Sequence, residues 1–260
     1  MPIEIIQQGL VVWALTLTRT LIAFMVMPIL AEPLVPSQLR NGIIMIVSMF
    51  LLPLTFPTLT ANPITFEHAL FLLIKEGIIG FTMGYVLSIP FWALKAAGFL
   101  IDMQRGAMSA LIFSQQNQSM TTPIGNLFSM LLNVLMMTTG GFLLLLNVIF
   151  TSYQIWPIES FIPHINPLTI KFILGQFDSL MYTAILIAAP IMAILFLIDI
   201  GSGLVGRFLP QLNIFLQAMP IKSAVAFFLL ILYLNFIADY IKDVFFKLAG
   251  NFSILESLLK

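Results

Sequence analysis

Residues 180–198 read LMYTAILIAAPIMAILFLI and contain no charged side chain. An α-helix needs about 20 apolar residues to cross a bilayer, so this stretch is long enough to span one. Strand-like alternation of apolar and polar residues is absent from it, which favours a helix. Comparable apolar stretches lie on both sides along the chain, over residues 9–31, 41–60, 69–94, 127–150 and 211–238. The predicted fold class is therefore all-α, a polytopic membrane-type protein.

The composition excludes several classes of protein. Of the 260 residues, 60% are hydrophobic and 8% are charged, whereas an average soluble domain is about 25% charged. A soluble globule could not hide that much apolar surface, so a soluble enzyme is excluded. The 11 basic residues balance 11 acidic ones and form no basic patch, which predicts no nucleic-acid partner. The chain has no cysteine, so disulfides and thiolate metal sites are excluded.

The apolar stretches carry prolines, and polar segments separate them. Each proline removes a backbone donor and is expected to kink or stop a helix; these are Pro28, Pro53, Pro57, Pro90, Pro190 and Pro220. The main interruptions are predicted at 101–126, 151–179 and 199–222, and 151–179 is interpreted as a loop outside the hydrocarbon. From residue 239 the tail is amphipathic. No internal repeat is visible, so a single domain covering 1–260 is the simplest interpretation.

Several charged residues lie within or near apolar stretches. One interpretation is that Arg19, Lys75 and Glu76 face protein or water. The alternative is that Arg19 and Lys75 extend to the membrane interface. Asp102 and Arg105 are three residues apart on one helix face, so they form either a buried pair or an interfacial pair at a helix end.

Two further sets of residues suggest helix contacts. Asp199 and Arg207 are about 12 Å apart along a helix, so each is expected to find another partner. Gly80, Gly84 and Ser88 recur every four residues, a pattern that lets another helix approach closely. That helix is either within the chain or in a partner, although apolar helices also contain the pattern by chance.

The sequence offers no catalytic centre. The histidines, His68 and His164, stand alone, and neither the H-E-x-x-H nor the G-x-S-x-G motif occurs. Asp199 lacks a specific second carboxylate with which to form a dyad. We therefore predict no enzyme activity, no catalytic residue, no cofactor and no metal.

Three stretches together carry a resemblance to a known family. They are TRTLIAFMVMPILAEPLVPSQLRNGIIMIVS at 18–48, PFWALKAAGFLIDMQRGAMSALIFSQQNQSMTTPIGNL at 90–127 and GLVGRFLPQLNIF at 203–215, the last followed by Lys222-Ser223. In order and spacing they resemble the FliR/SctT family of type III secretion export-apparatus proteins, over nearly the whole chain. The stretch FWALKAAGFLIDMQRGA, together with SYQIWP at 152–157, is more similar to the virulence injectisome branch than to the flagellar one.

The resemblance implies a place in a larger assembly. It implies one copy of this chain in a helical hetero-oligomeric export gate, with several copies of each sister membrane subunit and an associated switch protein. Unfolded secreted proteins would be the transient substrates, and lipid would be a further contact. The expected location is the bacterial inner membrane, as a multi-pass protein partly raised out of the bilayer plane.

The resemblance also implies particular roles for residues. Residues 106–125 would form a loop that plugs the closed pore, with its tip at Phe113, Ser114, Gln115, Gln116, Asn117, Gln118, Ser119 and Met120. Family loops often carry Asp-Pro near this tip, whereas Ser114-Gln115 stands here. Residues 1–179 would resemble one sister subunit, 180–238 would form a kinked hairpin and 239–260 the tail. Helix-packing or subunit contacts are expected at Gly80, Gly84, Asp102, Arg105, Asp199, Arg207 and Pro210.

Two other classes of protein remain as alternatives. A small-solute secondary transporter also has broken helices near the membrane midplane, but it predicts inverted repeats that we do not see. An intramembrane enzyme would need polar residues that converge on one site, and none stand out.

Overall fold

The computed structural model describes residues 2–30, 35–60, 66–107, 122–159, 167–209, 211 and 214–259. Within these residues the regular secondary structure is entirely helical. The predicted all-α fold class is therefore confirmed. A short 3₁₀ turn covers Pro28–Leu30, and the seven α-helices are α1 (Pro2–Val26), α2 (Ser37–Thr60), α3 (Phe66–Gln104), α4 (Pro123–Thr138), α5 (Gly141–Ile155), α6 (Pro167–Phe208) and α7 (Ile214–Leu259).

Most of these helices are long and apolar enough to cross a membrane. Five qualify on their own, and there are six candidate spans if α4 and α5 together count as one broken span. The break falls at Thr139–Gly140, where Gly140 has φ +77°, a conformation that favours glycine. The chain is accordingly a multi-pass helical membrane protein.

Two of the predicted interruptions are shorter than expected. The stretch 151–179 was interpreted as a loop, but α5 continues to Ile155 and α6 already begins at Pro167. A proline fits the first helical turn, whose backbone N–H groups lack helical acceptors. The stretch 199–222 is helical up to Phe208 and again from Ile214.

Five of the six prolines lie inside helices that continue past them. Pro53 and Pro57 lie within α2, and Pro90, Pro190 and Pro220 are internal to α3, α6 and α7. Of the two expected outcomes, a kink or a stop, the structure excludes a stop at these positions. Helices of membrane proteins tolerate proline because neighbouring groups satisfy the backbone acceptors that it frees.

The chain divides into two compact units. Unit 1 comprises Met1–Ile89, Gly140–Gln176 and Phe246–Lys260; unit 2 comprises Pro90–Thr139 and Phe177–Phe245.

Within unit 1, α1 packs against α2 through apolar and hydroxyl side chains. The indole Nε1 of Trp13 donates to Ser48 Oγ over 3.2 Å. The Thr16 and Thr55 hydroxyl oxygens lie 3.0 Å apart in the buried contact. Leu15 and Phe24 on α1 and Ile44 on α2 are also buried. Apolar helices in a bilayer gain no hydrophobic free energy by packing together, because lipid is equally apolar. Hydroxyl hydrogen bonds of this kind therefore help to hold them together.

Within unit 2, α4 buries one regular face. Ile124, Phe128, Leu132 and Met136 recur every four residues and are all completely buried. This spacing places them on a single stripe of the helix. On α6 the buried apolar side chains form a similarly narrow stripe, at Leu180, Ala184, Ile187, Ala188, Ile191 and Leu195. Most of the remaining α6 surface is exposed and apolar.

Candidate functional site

A completely buried ion pair lies at the centre of unit 1. Arg19 on α1 faces Glu76 on α3, with Nε 2.6 Å from Oε2 and Nη2 3.0 Å from Oε1. Both side chains are 0% exposed. This two-pronged geometry is the strongest form of a charge-assisted hydrogen bond. Arg19 therefore faces protein and does not extend to the membrane interface.

The same cluster holds the end of α5 through backbone carbonyl groups. Arg19 donates to the carbonyl oxygens of Ser152 and Trp156, each over 3.0 Å. Lys75, 3.0 Å from Glu76, donates to the carbonyl oxygen of Ile158 over 2.7 Å. The last carbonyls of a helix have no helical donor, and cations are favoured there. We call Arg19, Lys75 and Glu76 the unit 1 charge cluster; it docks the end of α5 onto α1 and α3.

The glycines predicted to form a helix contact lie against α1 of the same chain. A Cβ atom at position 80 would be 2.5 Å from the carbonyl oxygen of Arg19, and one at position 84 would be 2.7 Å from that of Ala23. Ser88 Oγ donates to the carbonyl oxygen of Val26 over 3.1 Å. The two helix backbones therefore touch along this face, which brings Glu76 within reach of Arg19.

We expect Gly80→Ala to lower the stability of the full-length chain in mild detergent by about 1–3 kcal/mol, the usual cost of overpacking. The added methyl group would meet backbone atoms of α1, which cannot move aside alone. Gly42→Ala on α2 is the matched control, because a Cβ there meets nothing within 4 Å. That control should be neutral or slightly stabilising, since alanine favours helix. Equal thermal midpoints for the two variants would contradict the close contact.

In unit 2 the structure places Asp102 and Arg105 together in a buried pair. Asp102 Oδ1 accepts from Arg105 Nε over 2.7 Å and lies 2.6 Å from Nη2. The other carboxylate oxygen, Oδ2, accepts from the backbone N–H groups of Ile124 over 2.9 Å and Gly125 over 3.4 Å. A carboxylate at the start of a helix satisfies N–H groups that lack helical acceptors. Asp102 thus joins the end of α3 to the beginning of α4.

A second glycine contact in unit 2 has no counterpart in the sequence-based prediction. A Cβ at Gly98 would lie 2.5 Å from the backbone nitrogen of Gly125. A Cβ at Gly125 would lie 3.2 Å from the carbonyl oxygen of Lys95. The crossing of α3 and α4 therefore depends on two glycines that are far apart in sequence, so no short spacing pattern could reveal it.

Asp199 pairs with a lysine that sequence reasoning did not assign to a site. Lys222 Nζ on α7 lies 2.7 Å from Asp199 Oδ1 on α6. It also donates to the carbonyl oxygen of Gln104, at the end of α3, over 2.9 Å. The guanidinium carbon of Arg105, the residue after Gln104, lies 5.2 Å from the ring centre of Phe227 on α7. Three helices of unit 2 meet at this point.

The remaining predicted residues are not brought into these clusters. Arg207 is exposed in the last turn of α6. Pro210 and the predicted loop tip, Phe113–Met120, lie outside the described residues, so the structure does not place them. Among the described side chains, no group of three or more histidine, aspartate or glutamate residues has a metal-binding arrangement.

The fold and these clusters define a class of protein: a polytopic helical membrane protein whose internal charges are neutralised by other helices. Residues 10–248 match the sequence family described as bacterial export proteins, family 1. The chain belongs to this family, which confirms the predicted FliR/SctT membership.

Characterised relatives agree over most of the chain. The chain is 37% identical over 234 residues to Yop proteins translocation protein T of Yersinia pestis, covering 88% of each chain. It is 32% identical to secretion system apparatus protein SsaT of Salmonella typhimurium, covering 84% of this chain and 85% of the relative. It is 29% identical to flagellar biosynthetic protein FliR of Bacillus subtilis, covering 85% of each. The chain is thus a component of a bacterial protein-export apparatus.

Proposed function

We propose that this chain is a core subunit of a type III secretion export gate in the bacterial inner membrane. In this proposal it lines and plugs the channel through which unfolded proteins are exported. One copy assembles with several copies of each sister membrane subunit and with the associated switch protein. The family membership supports the general role, and the surface of the long helices supports the assembly.

The observation that carries the proposal is the length of three apolar helices. The helices α3, α6 and α7 have 39, 42 and 46 residues. At 1.5 Å per residue they follow paths of about 58, 63 and 69 Å. The hydrocarbon core of a bilayer is about 30 Å thick. Each helix is therefore about twice as long as a single crossing requires.

Much of the surface of α6 and α7 is apolar and uncovered by the chain itself. In an apolar 18-residue stretch of each helix, only 28% of the residues of α6 and 22% of those of α7 are buried. The exposed side chains include Leu174, Tyr182, Leu197, Phe208, Phe228 and Ile231. Lipid can cover only the part within the bilayer, so the rest needs protein neighbours. Sister subunits with similar apolar helices meet this requirement.

The proposed plug is supported by composition and by its position in the chain. Ser114–Ser119 is uncharged and rich in amide side chains, which presents no strong electrostatic barrier or trap to a passing polypeptide. The segment connects α3 to α4, and Asp102 joins those two helices next to it. A loop held at its base in this way is suited to block a pore with its central residues.

The first experiment is native mass spectrometry of the chain co-expressed with its neighbouring membrane-protein genes and extracted in mild detergent. We expect a large hetero-oligomer containing one copy of this chain. A stable monomer or homodimer without partners would refute the proposal and favour a solute transporter.

Removing Ser114–Ser119 should raise ion leakage through the assembled complex, because the central part of the plug would be missing. The measurement is the conductance of purified complexes in planar bilayers. The control replaces the same residues with an equally long, uncharged Ser/Asn/Gln sequence, which should leave the leak low. Unchanged conductance in a deletion complex of normal composition would refute the plug.

A further inference from the structure

The end of α3 is held by one ion pair that joins α6 to α7. Lys222 Nζ contacts both Asp199 Oδ1, at 2.7 Å, and the carbonyl oxygen of Gln104, at 2.9 Å. The side-chain amide of Gln104 donates to Asp199 Oδ2 over 3.0 Å. Both carboxylate oxygens are therefore engaged. We call Gln104, Asp199 and Lys222 the α3 catch.

We propose that the α3 catch opens during export, releasing the end of α3 from α7. This inference rests on the proposed function, because it assigns a regulatory contact to the same gate. It concerns a different contact from the plug, since all three residues lie on helices. The catch would hold the resting state and would re-form after a substrate has passed.

The two ion pairs at the end of α3 differ in how readily they can open. The side chain of Asp199 is 30% exposed, whereas that of Asp102 is 1% exposed. Water or a polar group can replace the contacts of Asp199, but separating Asp102 from Arg105 would leave both charges buried. Lys222 is only 4% exposed, and it keeps Asp199 as its partner when the end of α3 leaves. The contacts of Gln104 are thus the ones that open.

The helices on both sides of the catch are locally weakened. After Asp199, α6 contains Gly201 and Gly203, where an added Cβ would meet nothing within 4 Å. Packing therefore does not require these glycines, and they weaken the helix. On α7, Pro220 lies two residues before Lys222 and removes a backbone donor. Both segments can change direction at small cost, as a releasable contact requires.

A second contact links the same part of α7 to the end of α3. Gly106, with φ +84°, packs against Met219, and a Cβ at position 106 would lie 3.2 Å from Met219 Cγ. A displacement of α7 at Met219 and Lys222 would therefore release Gly106 and Gln104 together. The contact also provides a place to lock the catch.

The test is a disulfide between Gly106→Cys and Met219→Cys in the assembled export complex. The chain has no cysteine of its own, so the bridge would be unambiguous. A cysteine sulfur at 219 would take the place of Met219 Cγ, which lies 3.2 Å from a Cβ atom at position 106, so the two side chains are close enough to be cross-linked. We expect oxidation to stop substrate export and a reductant to restore it. If fully cross-linked complexes export substrate at the same rate as complexes kept in reductant, the proposal is overturned.

Two controls separate this result from other effects. Each single-cysteine variant should be insensitive to the oxidant. Asp199→Asn should raise the resting ion leak about fivefold or more, which is the usual size of an energetic coupling between two sites of one protein. Asp199→Glu keeps the carboxylate and should leave the leak low. A leak unchanged by Asp199→Asn would also count against the catch. Detection of the chain in the purified complex before oxidant is added tests the proposed function separately.

Discussion

Arg19→Met should be among the most destabilising single substitutions in this chain, with a loss of about 3–5 kcal/mol. Glu76 is completely buried and would lose both of its hydrogen bonds from the guanidinium group. The Trp156 carbonyl group would lose its Arg19 donor, and the Ser152 carbonyl group would keep only the backbone N–H of Trp156. We expect the full-length variant to unfold at a markedly lower temperature in mild detergent and to accumulate poorly in the membrane.

Two variants make the interpretation of Arg19→Met specific. Arg19→Met combined with Glu76→Gln should be no more stable than Arg19→Met alone, because Lys75 lies 3.0 Å from Glu76 and still compensates the carboxylate when Arg19 is absent. Lys171→Met removes a positive charge from an exposed position on α6 and should have little effect. A double variant that is clearly more stable than Arg19→Met would show that Lys75 does not compensate Glu76.

Asp102→Asn should cost a similar amount, about 3–5 kcal/mol, because it leaves a buried guanidinium group without a counter-charge. The side-chain amide would also present a donor either to Arg105 or to the backbone N–H of Ile124, where the carboxylate now accepts from both. The expected result is a lower thermal midpoint of the full-length chain, together with faster hydrogen exchange at the first turn of α4.

The chain contains a matched control for this prediction. Asp239 and Lys242 are also an acid–base pair three residues apart, 3.2 Å from each other, but their side chains are 77% and 44% exposed. Surface pairs of this kind contribute little to stability, so Asp239→Asn should leave the midpoint nearly unchanged. If the two substitutions had equal effects, burial would not be the reason for the importance of Asp102.

Helix positions could be predicted from the sequence because apolar length alone decides them in a membrane protein. The ends of the helices could not. The stretch 151–179 looked like a loop because it contains several prolines, yet Pro167 begins a helix. Proline marks the first turn of a helix as well as its end, and composition does not distinguish these two uses.

Predicting the partners of most charged residues also required information that a single sequence lacks. Asp102 and Arg105 are three residues apart, so helix geometry suggested their contact. Arg19 and Glu76 are separated by 57 positions, and Asp199 and Lys222 by 23. The available signal was a charge isolated in an apolar helix, which indicates that a partner exists without identifying it. Close glycine contacts such as Gly98 with Gly125 leave even less trace.

The docking of α5 by the unit 1 charge cluster has a consequence for biosynthesis. Arg19 is made 57 residues before Glu76 and 137 residues before Trp156. At synthesis rates of about 5–20 residues per second, the first helix waits roughly 7–27 seconds for its last partner. During that interval an unpaired guanidinium group must be kept near water or shielded by the insertion machinery. We therefore expect the translation rate between codons 19 and 156 to affect how much correctly inserted protein a cell obtains.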